Sequence, residues 1–187
     1  SPAMRYPNTL KIKDFRKALE GMEIFLSGLK IDLIFSSYKN HPTQEELNEL
    51  LERTYDAEKG FKQAADKVGN KTIKQFFLDS HNQRENFGKE LKAEIISFGE
   101  QPEGSGSTKG SIHRSWINFK SVFSSNNEEA MLEEVHRGEK EAIETYNDIL
   151  QDKDFVLPPT TESLLMKHRN AIRNTLETAN IFETAVS

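Results

Sequence analysis

The chain of 187 residues has no cysteine. That absence removes disulfides, thiolate metal sites and cysteine nucleophiles together, and it suits a reducing compartment. Long apolar runs are missing too. The nearest candidate, Met22 to Ser36, is broken by Glu23, Lys30 and Asp32, and no stretch approaches the length that spans a bilayer. There is no excess of positive charge: 25 basic against 30 acidic side chains give a net charge of −5. A nucleic-acid binder driven by phosphate contacts is therefore not expected. Strand-like alternation is absent, and with it the strand–glycine-loop–helix unit that cradles phosphates. No serine stands with a base and an orienting group, so nothing points to nucleophilic hydrolysis. No secretory signal pattern is visible, and a cytoplasmic location is expected.

What the chain does have is charge and helical period. Hydrophobic residues make up 35% and charged residues 29%, a balance suited to a thin core under a large charged surface. Four segments carry apolar residues at steps of three and four. Segment A, about 43–68, runs on Leu47, Leu50, Thr54, Ala57, Phe61, Ala64 and Val68, with Thr43 and Glu46 as a capping box. Segment B, about 71–98, runs on Ile73, Phe77, Ser80, Arg84, Phe87, Leu91 and Phe98, between Gly69-Asn70 and Gly99. Segment C, about 127–151, runs on Leu132, Val135, Glu139, Ala142, Tyr146 and Ile149. Segment D follows Pro158-Pro159 and runs to about Phe182 on Leu165, His168, Ile172, Thr175 and Ala179.

The connections are unequal. A to B is one tight turn and C to D is short, so each pair forms a hairpin. B to C is a long crossover that opens with Gly104-Ser105-Gly106-Ser107 and carries Ile112, Trp116, Phe119 and Phe123, read as a short helix lying on the bundle. Two hairpins joined by one long crossover is ferritin-like connectivity, and the expected fold is an all-α, up-down four-helix bundle over 43–187. Residues 1–4 read as an expression scar. Residues 5–42 form an extra segment in which Phe15, Leu19, Met22, Leu26, Leu29 and Leu33 share a helical face. That stripe is expected to pack on the bundle or on a second subunit. Lys11, Lys13, Arg16 and Lys17 favour a membrane surface, and the acidic chain as a whole opposes it.

Four polar residues interrupt the stripes near their midpoints. Glu58 flanks the stripe of A, Arg84 sits in B with His81 one turn before it, Glu139 sits in C and His168 in D. Counting outward from the turns sets Glu58 level with residue 81, and Glu139 within about one turn of His168. One polar layer at mid-bundle follows. A buried charge is costly unless it is paired or bound to metal, and both outcomes stay open. Glu58, Glu139 and His168 could hold iron or manganese. Alternatively, Arg84 neutralises Glu58 or Glu139 in a structural salt-bridge network, and His168 is a satisfied core residue. His81 and Glu85, four apart, could join a metal site or form a surface pair.

From about Leu47 onward the chain resembles a bacterial four-helix-bundle family of unknown function in the ferritin-like superfamily. The resemblance is carried by Leu47-Asn48-Glu49-Leu50-Leu51, Asp56-Ala57-Glu58-Lys59-Gly60-Phe61, Gln83-Arg84-Glu85-Asn86-Phe87, Gly110-Ser111-Ile112-His113-Arg114-Ser115-Trp116, Arg137-Gly138-Glu139 and Leu157-Pro158-Pro159. Di-iron members of that superfamily carry a Glu in the first and third helices and Glu-x-x-His in the second and fourth. Glu58 and Glu139 match the single glutamates, and the two Glu-x-x-His motifs are missing. Glu133 and His136 have the spacing but lie in C, with Glu133 off its stripe. The resemblance implies iron or manganese chemistry with oxygen or peroxide at a reduced site. The competing expectation is a non-enzymatic homo-oligomeric or partner-binding bundle, stress-related, with no metal.

Overall fold

The computed structural model describes residues 44–102, 104, 122, 126–154 and 156–187. Thr43, residues 1–42 and the crossover's Ile112, His113, Trp116, Phe119 and Phe123, with the expectations placed on them, lie outside the described residues. The described residues form four helices: α1 (Gln44–Lys67), α2 (Lys71–Ser97), α3 (Glu128–Leu150) and α4 (Pro159–Val186). No strand occurs among the described residues, and none of these four helices is long and apolar enough to cross a membrane.

The helix ends follow from local chemistry. Glu45 and Glu46 complement the positive end of α1, and Lys67 its negative end. Asn70 caps α2: its side-chain oxygen accepts from the backbone N–H groups of Thr72 at 2.9 Å and Ile73 at 3.2 Å. Gly99, at φ 75°, closes α2. Its N–H donates to the Ile96 carbonyl and that of Glu100 reaches the Ile95 carbonyl, a Schellman closure that needs the left-handed residue. Asn127 caps α3 through the Ala130 N–H at 3.1 Å. Pro159 opens α4 at the one turn where its missing N–H costs nothing. Helix α4 continues one turn past the expected Phe182, because no glycine or proline stands there to stop it.

Side-chain contacts fix the directions. The Asn70 N–H donates to Glu128 at 3.0 Å, so α3 starts beside the start of α2 and runs parallel to it. Thr161 bonds Glu94 and Lys167 bonds Glu90, so α4 runs antiparallel to α2. Pairs α1–α2 and α3–α4 pack closely, whereas α1–α3 and α2–α4 touch lightly.

The core falls into two apolar clusters. One holds Leu47, Leu50, Leu51, Tyr55, Phe87, Leu91, Ile95, Tyr146, Ile149, Leu165 and Ile172. The other holds Phe61, Ala64, Ala65, Val68, Ile73, Phe77, Met131, Leu132, Val135 and Ala179. Arg84 lies where the two clusters meet, beside Phe61 of one and Phe87 of the other.

Candidate functional site: two buried polar layers

Arg84 sits on the buried stripe of α2 and Glu139 on that of α3, both under 4% exposed. The guanidinium grips the carboxylate with both terminal nitrogens: Nη1 to Oε1 at 3.0 Å, and Nη2 to Oε2. This is the bidentate geometry that arginine's planar fork favours. The guanidinium carbon also lies 5.4 Å from the centroid of the Phe61 ring and 5.9 Å from that of Phe87, so aromatic faces enclose the cation. Burial pushes the Glu139 carboxyl up, against the downward pull of Arg84.

The second layer centres on His168, 0% exposed on α4. Its ring stacks on Phe87 with centroids 3.9 Å apart and planes 15° apart. Nδ1 lies 3.1 Å from the Tyr146 hydroxyl, and Nε2 lies 3.5 Å from Glu90 Oε2. With a carboxylate facing Nε2, the tautomer that serves both contacts carries its proton on Nε2 and accepts from Tyr146 at Nδ1. Thr54 donates its hydroxyl to the Leu50 carbonyl at 2.7 Å. Glu90, His168 and Tyr146 thus come from α2, α4 and α3. Burial drives the imidazole down to about 4, against the upward pull of Glu90. Burial likewise raises the Tyr146 phenol well above its usual value. Burial would also raise Glu90, but the bond from Lys167 and the charges of His168 and Lys167 hold it below the usual carboxylate range.

The expected single layer is therefore two. The first hairpin has the expected register: His81 Nδ1 lies 2.8 Å from the Glu58 carbonyl oxygen. The second does not. Tyr146, about two turns beyond Glu139, meets His168, and Asn147 meets Arg169 at 3.0 Å. Tyr146 stands four residues before the end of α3 and His168 nine after the start of α4, so α4 begins beyond the end of α3. Counting from the two helix ends therefore misplaces Glu139 against His168.

The candidate metal ligands are dispersed. Glu139 is held by Arg84. Glu58 is half-buried, and only its backbone carbonyl meets His81. Glu85 is exposed and pairs with Lys89 at 3.2 Å, while His81 turns Nδ1 to the Glu58 carbonyl. No group of three or more His, Asp or Glu side chains placed to hold a metal ion occurs among the described residues. His136 of the accidental Glu133–His136 spacing faces Glu183 at 3.3 Å. Two members of the second layer escape the sequence pattern. Tyr146 reads as one more core position, although a buried phenol needs a partner for its hydroxyl. Glu90 lies off the stripe and gives no signal.

Between α1 and α3 a cleft of about 80 Å³ leads to the first layer. Ala57, Phe61, Val135, Ala142 and Ile172 form its walls, and Arg84, Glu139 and Tyr146 lie in it. It exists because α1 and α3 touch only lightly and because Gly138 presents no side chain there.

No curated protein and no solved structure matches the chain. The family described as "Domain of unknown function (DUF2383)" matches residues 43–152, from the start of α1 to just past α3. That stretch contains the Arg84–Glu139 pair and Tyr146 and leaves His168 outside. It covers more than half of the sequence, and the chain belongs to this family of unknown function.

Proposed function

We propose that this chain is a ferritin-like bundle whose mid-bundle position is given over to a structural ion pair, and that it acts by association, with itself or with a partner, rather than through metal chemistry at that position. The parallel course of α2 and α3 supports the ferritin-like connectivity, since only a long crossover can join them. The observation that carries the functional reading is the engagement of both Glu139 oxygens by Arg84. A carboxylate so held commits a lone pair on each oxygen to the guanidinium, and that fixed charge opposes a second cation beside it. Iron or manganese does not fit these donors. His168 adds none, since Nδ1 faces Tyr146 and Nε2 faces Glu90. A cytoplasmic homo-oligomer is part of the same proposal, with residues 5–42 supplying the contact surface.

The test is elemental analysis of the full chain expressed with iron and manganese, followed by anaerobic titration with Fe(II) and Mn(II), beside light scattering of the full chain and of a chain lacking residues 5–40. The expected result is metal far below one ion per chain and a smaller assembly after deletion. Stoichiometric metal lost on Glu139→Gln would overturn the ion-pair reading. An unchanged assembly after deletion would remove the oligomeric one.

A further inference from the structure

We infer that the α1–α3 seam receives the N-terminal segment, residues 5–42, of a second copy of this chain, its basic head at Lys11–Lys17 on the acidic end of the seam and its leucine stripe along the cleft. This names the contact behind the association reading and rests on that reading.

The seam has two parts in line. One lies where α1 begins and α3 ends. Glu46 and Glu49 of α1 and Glu144 and Asp148 of α3 line it with Asp152, and Arg53 is the one basic side chain in that lining. The other part is the cleft toward mid-bundle. Arg53 and Glu141 line both parts, so the groove is continuous. Ala57 and Ala142 are half-buried in the cleft, and a Cβ built on Gly138 between them would meet nothing within 4 Å. The groove therefore offers carboxylates first and then an apolar floor left open by small residues.

Charge and size select the occupant. Residues 5–42 hold seven basic and four acidic side chains, a charge of +3, while the rest of the chain carries −8. Lys11, Lys13, Arg16 and Lys17 fall within seven positions, with Asp14 the one acid among them. Such opposed charges steer and orient an encounter. Behind the head come Leu19, Met22, Leu26, Leu29 and Leu33 at helical steps. The segment thus has the same order as the groove, charge and then apolar stripe. The cleft's volume of about 80 Å³ is roughly half of what holds a benzene ring in an apolar cavity. It suits an aliphatic side chain, and it excludes the rings of Trp116, Phe119 and Phe123 that dominate the crossover.

Reach selects the copy. The segment joins α1 at Gln44, at the acidic end. Residues 15–33 as a helix cover about 27 Å. Folding straight back along its own α1, the segment would carry Lys11–Lys17 that far from the carboxylates. A second copy lying antiparallel alongside presents its acidic end at the other side, where the head meets it with the stripe along the cleft. The exchange is mutual, each copy giving one segment and receiving one, so it closes as a two-fold dimer. A donated stripe of about 20 residues and the seam that receives its counterpart together reach the roughly 20–30 residues a side of a standard interface.

The chain has no cysteine, so introduced cysteines report proximity cleanly. Full-length Lys17→Cys is mixed with full-length Asp148→Cys and treated with a short bismaleimide, beside light scattering of the unlinked full chain. A 17–148 link between chains is expected, and it should be lost when Lys71→Cys, exposed at the opposite end of the bundle, replaces Asp148→Cys. Glu144→Lys with Asp148→Lys, both exposed, should keep the melting temperature and weaken assembly by about tenfold. Adding Arg16→Glu and Lys17→Glu to that chain should restore it. An assembled chain without the 17–148 link would overturn the docking and leave the association reading standing, whereas a monomeric full chain would overturn both. A link formed only within a chain carrying both Lys17→Cys and Asp148→Cys would place the segment on its own seam and overturn the exchange. Assembly indifferent to the charge reversals would also overturn it.

Discussion

Tyr146 and His168 meet hydroxyl to Nδ1 at 3.1 Å, about two turns along α3 from the glutamate that sequence spacing sets opposite the imidazole. The contact joins the two helices of the second hairpin. Glu90, facing Nε2 at 3.5 Å, extends it to the first hairpin. The polar interior is therefore a cross-brace between two hairpins that otherwise touch lightly.

His168 makes the fold acid-sensitive. Its folded value of about 4 lies below the ordinary 6.5, so the unfolded chain binds more protons between those limits. The stabilisation is complete above about pH 6.5 and is lost as pH falls toward 4, by about 3 kcal/mol in all. Urea midpoints from pH 7.5 to 4 should fall steeply in the wild type, and His168→Gln should remove that part of the slope. A His168→Gln curve parallel to wild type would show that the imidazole does not titrate this way.

Tyr146→Phe removes the hydroxyl and leaves His168 Nδ1 buried without its partner. A loss of about 1–3 kcal/mol is expected, with strong non-additivity against His168→Gln because the two act as one contact. Additive losses in chemical melts would contradict the geometry.

Glu100 works in the opposite sense. Burial pushes its half-buried carboxyl up to about 7, and Oε2 has no hydrogen-bond partner. Its contribution is present below the ordinary carboxylate value and is lost as pH rises through 7. Glu100→Gln should therefore raise the melting temperature at pH 8 and leave it unchanged at pH 4.5. Equal shifts at both pH values would reject this assignment.

Asn70 is the hinge of the first hairpin, capping α2 while its own N–H reaches Glu128. Asn70→Ala should cost about 1 kcal/mol, read as a lower urea midpoint with an unchanged slope.

Much of the architecture was legible in the sequence, for nameable reasons. The stripes on Leu47–Val68 and Ile73–Leu91 matched buried faces because helical period and burial are tied by geometry. Asn70 and Gly99 marked ends because cap chemistry is local. Arg84 stood out as a charge in an apolar row, and its partner was narrowed to Glu58 or Glu139. The choice between them was not legible, because it depends on how two hairpins rotate against each other. The Tyr146–His168 register was hidden for a related reason: how far α4 starts beyond the end of α3 cannot be counted from residue numbers. The α1–α3 cleft depends on contacts between separate hairpins, and its one sequence trace was a glycine within a helix.

The central claim is that Arg84 and Glu139 are a structural pair. A double-mutant cycle in chemical denaturation, with Arg84→Met, Glu139→Leu and both together in metal-free protein, tests it most directly. Each single change strands a buried charge and should cost on the order of 3–5 kcal/mol, while the double variant should recover most of that loss. A near-neutral Arg84→Met, or losses that simply add, would contradict the account and return Glu139 to the pool of metal ligands.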